Sequence, residues 1–371
     1  MIYADNAATT QLHTDAFEAM RPFFFDDYGN ASQPYSFARP AKIALKDARE
    51  TIAHCIGAEP DEIYFTSGGT ESDNWAIKGL LQYGDRRATI TSEIEHHAVL
   101  NACKSIERLG YPVSYLPVTK DGTVTKEALL NTISSNTKLV SIMYVNNEIG
   151  TIEPIKDLCE VAHNNGALFH TDAVQAVGHL PINVRELGID MLSASAHKFY
   201  GPKGVGFFYA KRGTHIFPYA DGGSQEFGMR AGTENVASIV GMATALKKCC
   251  SEMCEISQRL LDIEQCLISK LKSSSVSFVR NGGPKTAPGI VSLSFKDANG
   301  EQLLHRLDLM GIMVSTGSAC DGMDDQVSHV LRAITLDEEY APGTIRVSFG
   351  KNNTVEDADR IASAIIKILS H

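Results

Sequence analysis

From residue 62 to residue 195 the chain alternates between short β-branched apolar runs and stretches with helical spacing, and this alternation constrains the fold more than any other feature. Strands are expected at 62–66, 88–91, 113–116, 138–145, 167–171 and 190–195, with helices between them at 98–109, 126–133 and 155–164. Apolar strands separated by single helices are the pattern of a mainly parallel sheet covered by helices on both faces, an α/β fold. Two further helices precede it, at 14–20 and at 38–56, the second closed by Gly57.

A chain of 371 residues exceeds what one core usually supports, so a second, smaller unit is expected. A long helical run at 235–271 leads into it. Strands at 289–295, 313–315 and 344–349 mixed with helices at 300–310, 327–333 and 355–370 give that unit an α+β character. The expected division is 15–250 for the large domain and 251–371 for the small one.

Ligands of open α/β sheets bind beyond the carboxyl ends of the strands. Here every such end is polar. Ser92-Glu93-Ile94-Glu95-His96-His97 follows one strand, Asn146-Asn147-Glu148 the next, Asp172-Ala173-Val174-Gln175 a third, and Ser195-Ala196-His197-Lys198 a fourth. Lys198 sits among small residues running to Gly206, and a lysine desolvated in such a turn becomes a nucleophile toward carbonyls, the chemistry of a Schiff base. A solvated surface lysine is the ordinary reading of one such residue, but a histidine, an amide, a carboxylate and a lysine converging on one sheet edge favour a site. Upstream, Thr66-Ser67-Gly68-Gly69-Thr70 joins a strand to a helix, where free N–H groups and the Thr70 hydroxyl can hold a phosphate. It is neither a P-loop nor a dinucleotide fingerprint.

Charge and cysteine usage narrow the function classes. The net charge of -10 argues against a nucleic-acid or anionic-membrane partner. Eight cysteines without paired metal-ligand spacing, no signal-like start and no long apolar run read as a cytoplasmic protein with reduced thiols. One of them, Cys320, lies in a Gly/Ser/Asp-rich stretch at 315–326, the setting of an exposed reactive thiol rather than a packed one.

The segments DNAATT (from Asp5), TSGGTES, EHHAVL, VNNEIGT, HTDAVQAVGH, SASAHKFYGPKGVG, GGSQEFGMRAGTEN, VSTGSAC and TIRVSFG run in order from Asp5 to Gly350. Through them the chain resembles the fold-type I pyridoxal 5'-phosphate (PLP) enzymes of the class V aminotransferase group, in particular the NifS/IscS-like cysteine desulfurases. The resemblance implies a PLP-transferase-like large domain, with residues 1–14 packing on the small one. It implies that Lys198 binds PLP covalently and moves the substrate's Cα proton, that Asp172 pairs with the pyridine nitrogen, and that Gln175 donates to the ring oxygen. Gly69, Thr70, Ser195 and His197 would hold the phosphate, joined by Thr233 of a neighbouring subunit in a homodimer. His96 would stack on the ring and act as acid/base, with His97 peripheral. Asn147 and Arg346 would face L-cysteine, Arg346 gripping its carboxylate. Cys320 would take the sulfur as a persulfide and pass it to an acceptor such as an iron–sulfur scaffold or a tRNA-thiolation protein. The chain departs from the family's pattern in two places. Asp321, Asp324 and Asp325 crowd the cysteine, which should raise its thiol pKa, and the loop 30–36 lacks a histidine. A selenocysteine lyase, a class V aminotransferase and a sulfur-assembly scaffold without PLP are the alternatives.

Overall fold

The computed structural model describes residues 1–81, 87–316 and 327–370. The apolar runs become strands β1 (Ile2–Tyr3), β2 (Ile63–Thr66), β3 (Ala88–Ser92), β4 (Val113–Leu116), β5 (Thr137–Ser141), β6 (Leu168–Asp172), β7 (Met191–Ser195) and β8 (Gly206–Ala210). Seven of them form one sheet in the order β2-β8-β7-β6-β5-β3-β4. The neighbours from β7 through to β4 pair in parallel, as expected, whereas β8 runs antiparallel to both β7 and β2. The intervening stretch 196–205 is too short for a crossover, which needs about a dozen residues or more, so the chain must double back. β8 has no counterpart among the expected strands. β5 is also shorter than expected. Beyond Ser141 the backbone still bonds to the β6 side, through Ile142 N–H to His170 O and Tyr144 N–H to Asp172 O, but the β3 register ends at Ser141.

Alternation along the strands feeds two apolar layers. Val140, Phe169 and Leu192 face a core shared with helices Arg39–Ile56 and Ile155–Asn164. Leu139, Met191 and Phe208 face the other side, packed by Trp75, Val99 and Ile106 from helices Gly69–Lys78 and His97–Arg108.

A separate core forms around β9 (Phe278–Asn281), β10 (Ile290–Phe295) and β12 (Thr344–Ser348), an antiparallel sheet ordered β12-β10-β9. β11 (Ile312–Met313) pairs in parallel with β1, so Ile2 and Ala4 are buried in this second core rather than the first. The helix Val236–Lys272 belongs to both: Ile239, Met242 and Leu246 pack in the first core, Leu260, Ile263, Leu267 and Leu271 in the second. No helix among the described residues is long and apolar enough to cross a membrane.

Candidate active site

The polar strand ends converge as their positions require. A cavity of about 330 Å³ at the carboxyl edge of the large sheet is lined by Gly69, Thr70, His96, Asn147, Asp172, Gln175, Ser195, His197, Lys198 and Arg346. Two further expected members are not among these lining residues, and Thr233 was expected to act only in a neighbouring subunit's site. Thr233 is exposed and lines no part of this cavity. Cys320, with Asp321, Asp324 and Asp325, lies outside the described residues, though the flanking Ser315, Thr316 and His329 all line the cavity.

Lys198 follows β7 directly, in a short turn of 3-10 helix. Its Nζ donates to the carbonyls of Ala7 (2.6 Å) and Ala8 (2.9 Å), and its own carbonyl meets His179 Nε2 at 2.8 Å. The early small-residue segment is therefore a floor under the lysine. Thr10 secures it, donating from N–H and hydroxyl to His197 O and accepting from Tyr200 N–H. Gln175 Nε2 also donates to Ala7 O (2.9 Å).

At the opposite wall the chain leaves β2 and enters the helix Gly69–Lys78 through Gly68, whose φ of 147° lies outside the range of ordinary side chains. A Cβ on Gly69 would stand 2.6 Å from Val174 Cγ2, so the helix start packs its bare backbone against the Val174 side chain of the Asp172 loop. A second hollow continues the cavity past Gly69, Thr70, Ser195 and His197 toward Ser67, Lys203 and Gly204. Burial, with Lys198 and Lys203 nearby, lowers the His197 pKa to about 4, so the ring is neutral. Its Nδ1 lies 3.2 Å from Thr9 Oγ1, which can donate to it and leave Nε2–H as a donor. Helix N–H groups, two hydroxyls and a neutral imidazole form an anion cradle.

His96 caps the helix His97–Arg108, its Nδ1 accepting from Ala98 N–H at 3.1 Å, which places the ring proton on Nε2. Burial lowers its pKa. Asp172 ends β6, and its Oδ1 accepts Val174 N–H at 2.9 Å. Burial raises its pKa, opposed by His96, that N–H and Lys198. A buried carboxyl in this state is stabilised as an anion by a cation placed against it. A protonated pyridine nitrogen is such a cation. The amine, the carboxylate and the anion cradle within one cavity thus fit pyridoxal phosphate.

Arg346, on β12, crosses from the second core into the cavity. One terminal nitrogen donates to Asn147 O (2.7 Å) and the other to Asp5 Oδ1 (2.8 Å). Its Nε is buried without a hydrogen-bond partner among the described residues.

Several lining residues were not singled out from the sequence. Asp73 stands one helical turn after Gly69, and that i,i+4 spacing was the available signal. His97, read as peripheral, lines the cavity with its ring 4.9 Å from that of His329. The carbonyls of Ala7 and Ala8 have no side-chain signature.

Comparisons with known proteins identify the family. Residues 2–361 match the family model described as aminotransferase class-V. A cysteine desulfurase IscS of Dictyoglomus turgidum is 47% identical over 99% of this chain and 94% of its own length. Among solved structures, a NifS-like protein superposes with a TM-score of 0.94 at 37% identity, covering 100% of this chain and 99% of that one. A structure described as SspA in complex with cysteine superposes at 0.85 with 37% identity, covering 94% and 99%.

Proposed function

This chain belongs to the class-V aminotransferase family and, within it, to the PLP-dependent cysteine desulfurases; we propose that it moves sulfur from L-cysteine onto Cys320, leaving L-alanine, through the residues of the cavity above. The observation that carries this assignment is the Lys198 amine in one cavity with a buried carboxylate and an anion cradle.

When bound, pyridoxal phosphate supplies an aldehyde for amines and an electron-poor ring that stabilises negative charge at the substrate's Cα. The chain's residues do the rest. Lys198 Nζ, steadied by the Ala7 and Ala8 carbonyls, would hold the cofactor and, as a free amine, would take the Cα proton. Asp172 keeps the ring nitrogen protonated, and Gln175 has a second amide N–H for the ring oxygen. Gly69, Thr70, Ser195 and His197 grip the phosphate. His96 Nε2–H faces the reacting region as an acid. Arg346 receives the substrate carboxylate beside Asn147, its guanidinium oriented by Asn147 O and Asp5. The Cys320 thiolate attacks the substrate sulfur. The S–S bond of a persulfide forms as the C–S bond breaks, and its electron pair passes to the carbon skeleton, which is protonated to alanine.

The same reading extends to a homodimer, with Thr233 completing the partner's phosphate grip, supported by its exposure away from its own cavity. It also extends to a sulfur-acceptor protein, such as an iron–sulfur scaffold, and to a division into domains near residue 250, supported by the two cores. Cys320→Ala should keep the visible absorbance of bound PLP and respond to cysteine, yet produce neither alanine nor sulfide under reductant. Normal turnover by that variant would refute the assignment.

A further inference from the structure

Behind Asp172 lies a buried polar chain that none of these steps uses. Ser141 Oγ is 2.8 Å from His170 Nδ1, and His170 Nε2 is 3.0 Å from Ser193 Oγ and 3.7 Å from Asp73 Oδ1. Ser141, His170 and Ser193 are fully buried, and Asp73 is 1% exposed. The sheet aligns them. Ser141 stands opposite His170 across β5 and β6, and Asp172 opposite Ser193 across β6 and β7. His170 and Asp172, two apart on β6, share a face. Over that face the helix Gly69–Lys78 lays Asp73, which lines the same cavity as Asp172.

Two carboxyls buried this close do not both ionise without a counter-charge. His170 does not supply one, because complete burial lowers its pKa to about 3. The single charge belongs on Asp172, which has the Val174 N–H, Lys198 and His96 around it. Asp73 faces burial, Asp172 and Glu95, with only the nearby Ser193 hydroxyl in favour of its ionised form. Its Oδ1 has no hydrogen-bond partner among the described residues.

We propose that Asp73 is a positioning residue for Asp172: it remains a neutral carboxylic acid beside the Ser193–His170–Ser141 chain, so that one negative charge, on Asp172, meets the cofactor's ring nitrogen. This rests on the PLP reading of Asp172 given above. The Ser141 and Ser193 hydroxyls engage both ring nitrogens of His170, at 2.8 and 3.0 Å, so the imidazole is committed to them while Asp73 Oδ1 stands 3.7 Å away.

Two isosteric variants test this in the full chain. Asp73→Asn keeps size, neutrality and a donor; Asp73→Leu keeps only size. In the infrared difference spectrum of cofactor-free wild type minus Asp73→Asn at neutral pH, the wild type should show the carbonyl stretch of a protonated acid. A carboxylate band there overturns the proposal. In PLP-loaded protein, Asp73→Asn should keep the cofactor's absorbance, its visible circular dichroism and the pH profile of kcat/KM. Asp73→Leu should shift all three and lose about 100-fold in kcat/KM, the scale of a catalytic group misplaced by about 1 Å. A lower Tm with spectrum and pH profile unchanged would mean a merely structural role and overturn the proposal, as would Asp73→Asn failing as badly as Asp172→Asn. If Asp73→Leu does not fold, Ser193→Ala, which removes the hydroxyl that engages His170 Nε2 on the side of Asp73, must give the same spectral shift. Wild-type protein that takes up no PLP would refute the functional reading instead, and the infrared result would still report the charge of Asp73.

Discussion

Replacing Arg346 by lysine separates recognition of the substrate's carboxylate from the rest of the site. The guanidinium is already held at two points, Asn147 O at 2.7 Å and Asp5 Oδ1 at 2.8 Å, and its buried Nε–H has no partner among the described residues. Lysine retains a charge beside Asp5 but has no planar fork, so it can satisfy Asp5 or grip the substrate, not both in fixed geometry. The loss is one hydrogen bond to a charged group, about 1.5–3 kcal/mol. At about 1.4 kcal/mol per decade, KM for cysteine rises about 10- to 150-fold. Cofactor absorbance should not change, because Lys198 and Asp172 stand on other strands. Cysteamine, which is cysteine without its carboxylate, supplies the control, since its inhibition constant should stay within about threefold, less than half a decade. Equal weakening of cysteine and cysteamine, or an unchanged KM, would refute the role of Arg346 in carboxylate recognition.

Gly206→Ala would press a methyl group against Ala194 O and 2.7 Å from Gly68 Cα, both backbone. Overpacking of this kind costs about 1–3 kcal/mol, so Tm should fall and PLP should dissociate more readily; a variant matching wild type in both would show that the phosphate-loop contact has slack. The pKa of Glu95 is raised to about 8 by burial. A carboxyl that binds its proton more tightly folded than unfolded stabilises most below its unfolded pKa, and loses that contribution as pH rises through the folded value. The urea-unfolding free energy of wild type relative to Glu95→Gln should therefore fall between about pH 4.5 and pH 8 and level off above; a flat difference would mean that Glu95 is ionised throughout.

Much of this was legible in the sequence for identifiable reasons. β3, β4 and β6 announce themselves because β-branched runs between helices have few other uses, and their polar ends name most of the cavity. Backbone and non-local pairing were not legible. β1 is two residues long and exists because Ile2 and Tyr3 find Ile312 and Met313. β8 reads as an apolar continuation of the lysine loop until its reversal is seen, and the Ala7 and Ala8 carbonyls that steady Lys198 look like any small-residue loop. Asp73 passes for an ordinary residue near a helix start, since its significance lies in His170 and Ser193, contributed by two other strands. His97 and His329 meet because the helix His329–Ala333 packs through Val330 and Leu331 against Ile94, Met143 and Ile149, at the ends of the large-sheet strands.

The pairing of β1 with β11 also dictates an order of assembly. Ile2 and Tyr3 leave the ribosome some 310 residues before Ile312 and Met313, about 15 to 60 s at about 5–20 residues per second. The segment they anchor includes Asp5, the counter-ion of Arg346, and the carbonyls under Lys198. Through synthesis of the whole large sheet, Gln175, His197 and Lys198 can hold the Ala7–Thr10 end of that segment, but the strand that fixes Ile2 and Tyr3 is still missing. The Asp5 side of the cavity is thus closed late, by a segment made about 310 residues before its partner strand, and a nascent chain with its parallel sheet already folded would still lack Arg346 to hold the substrate.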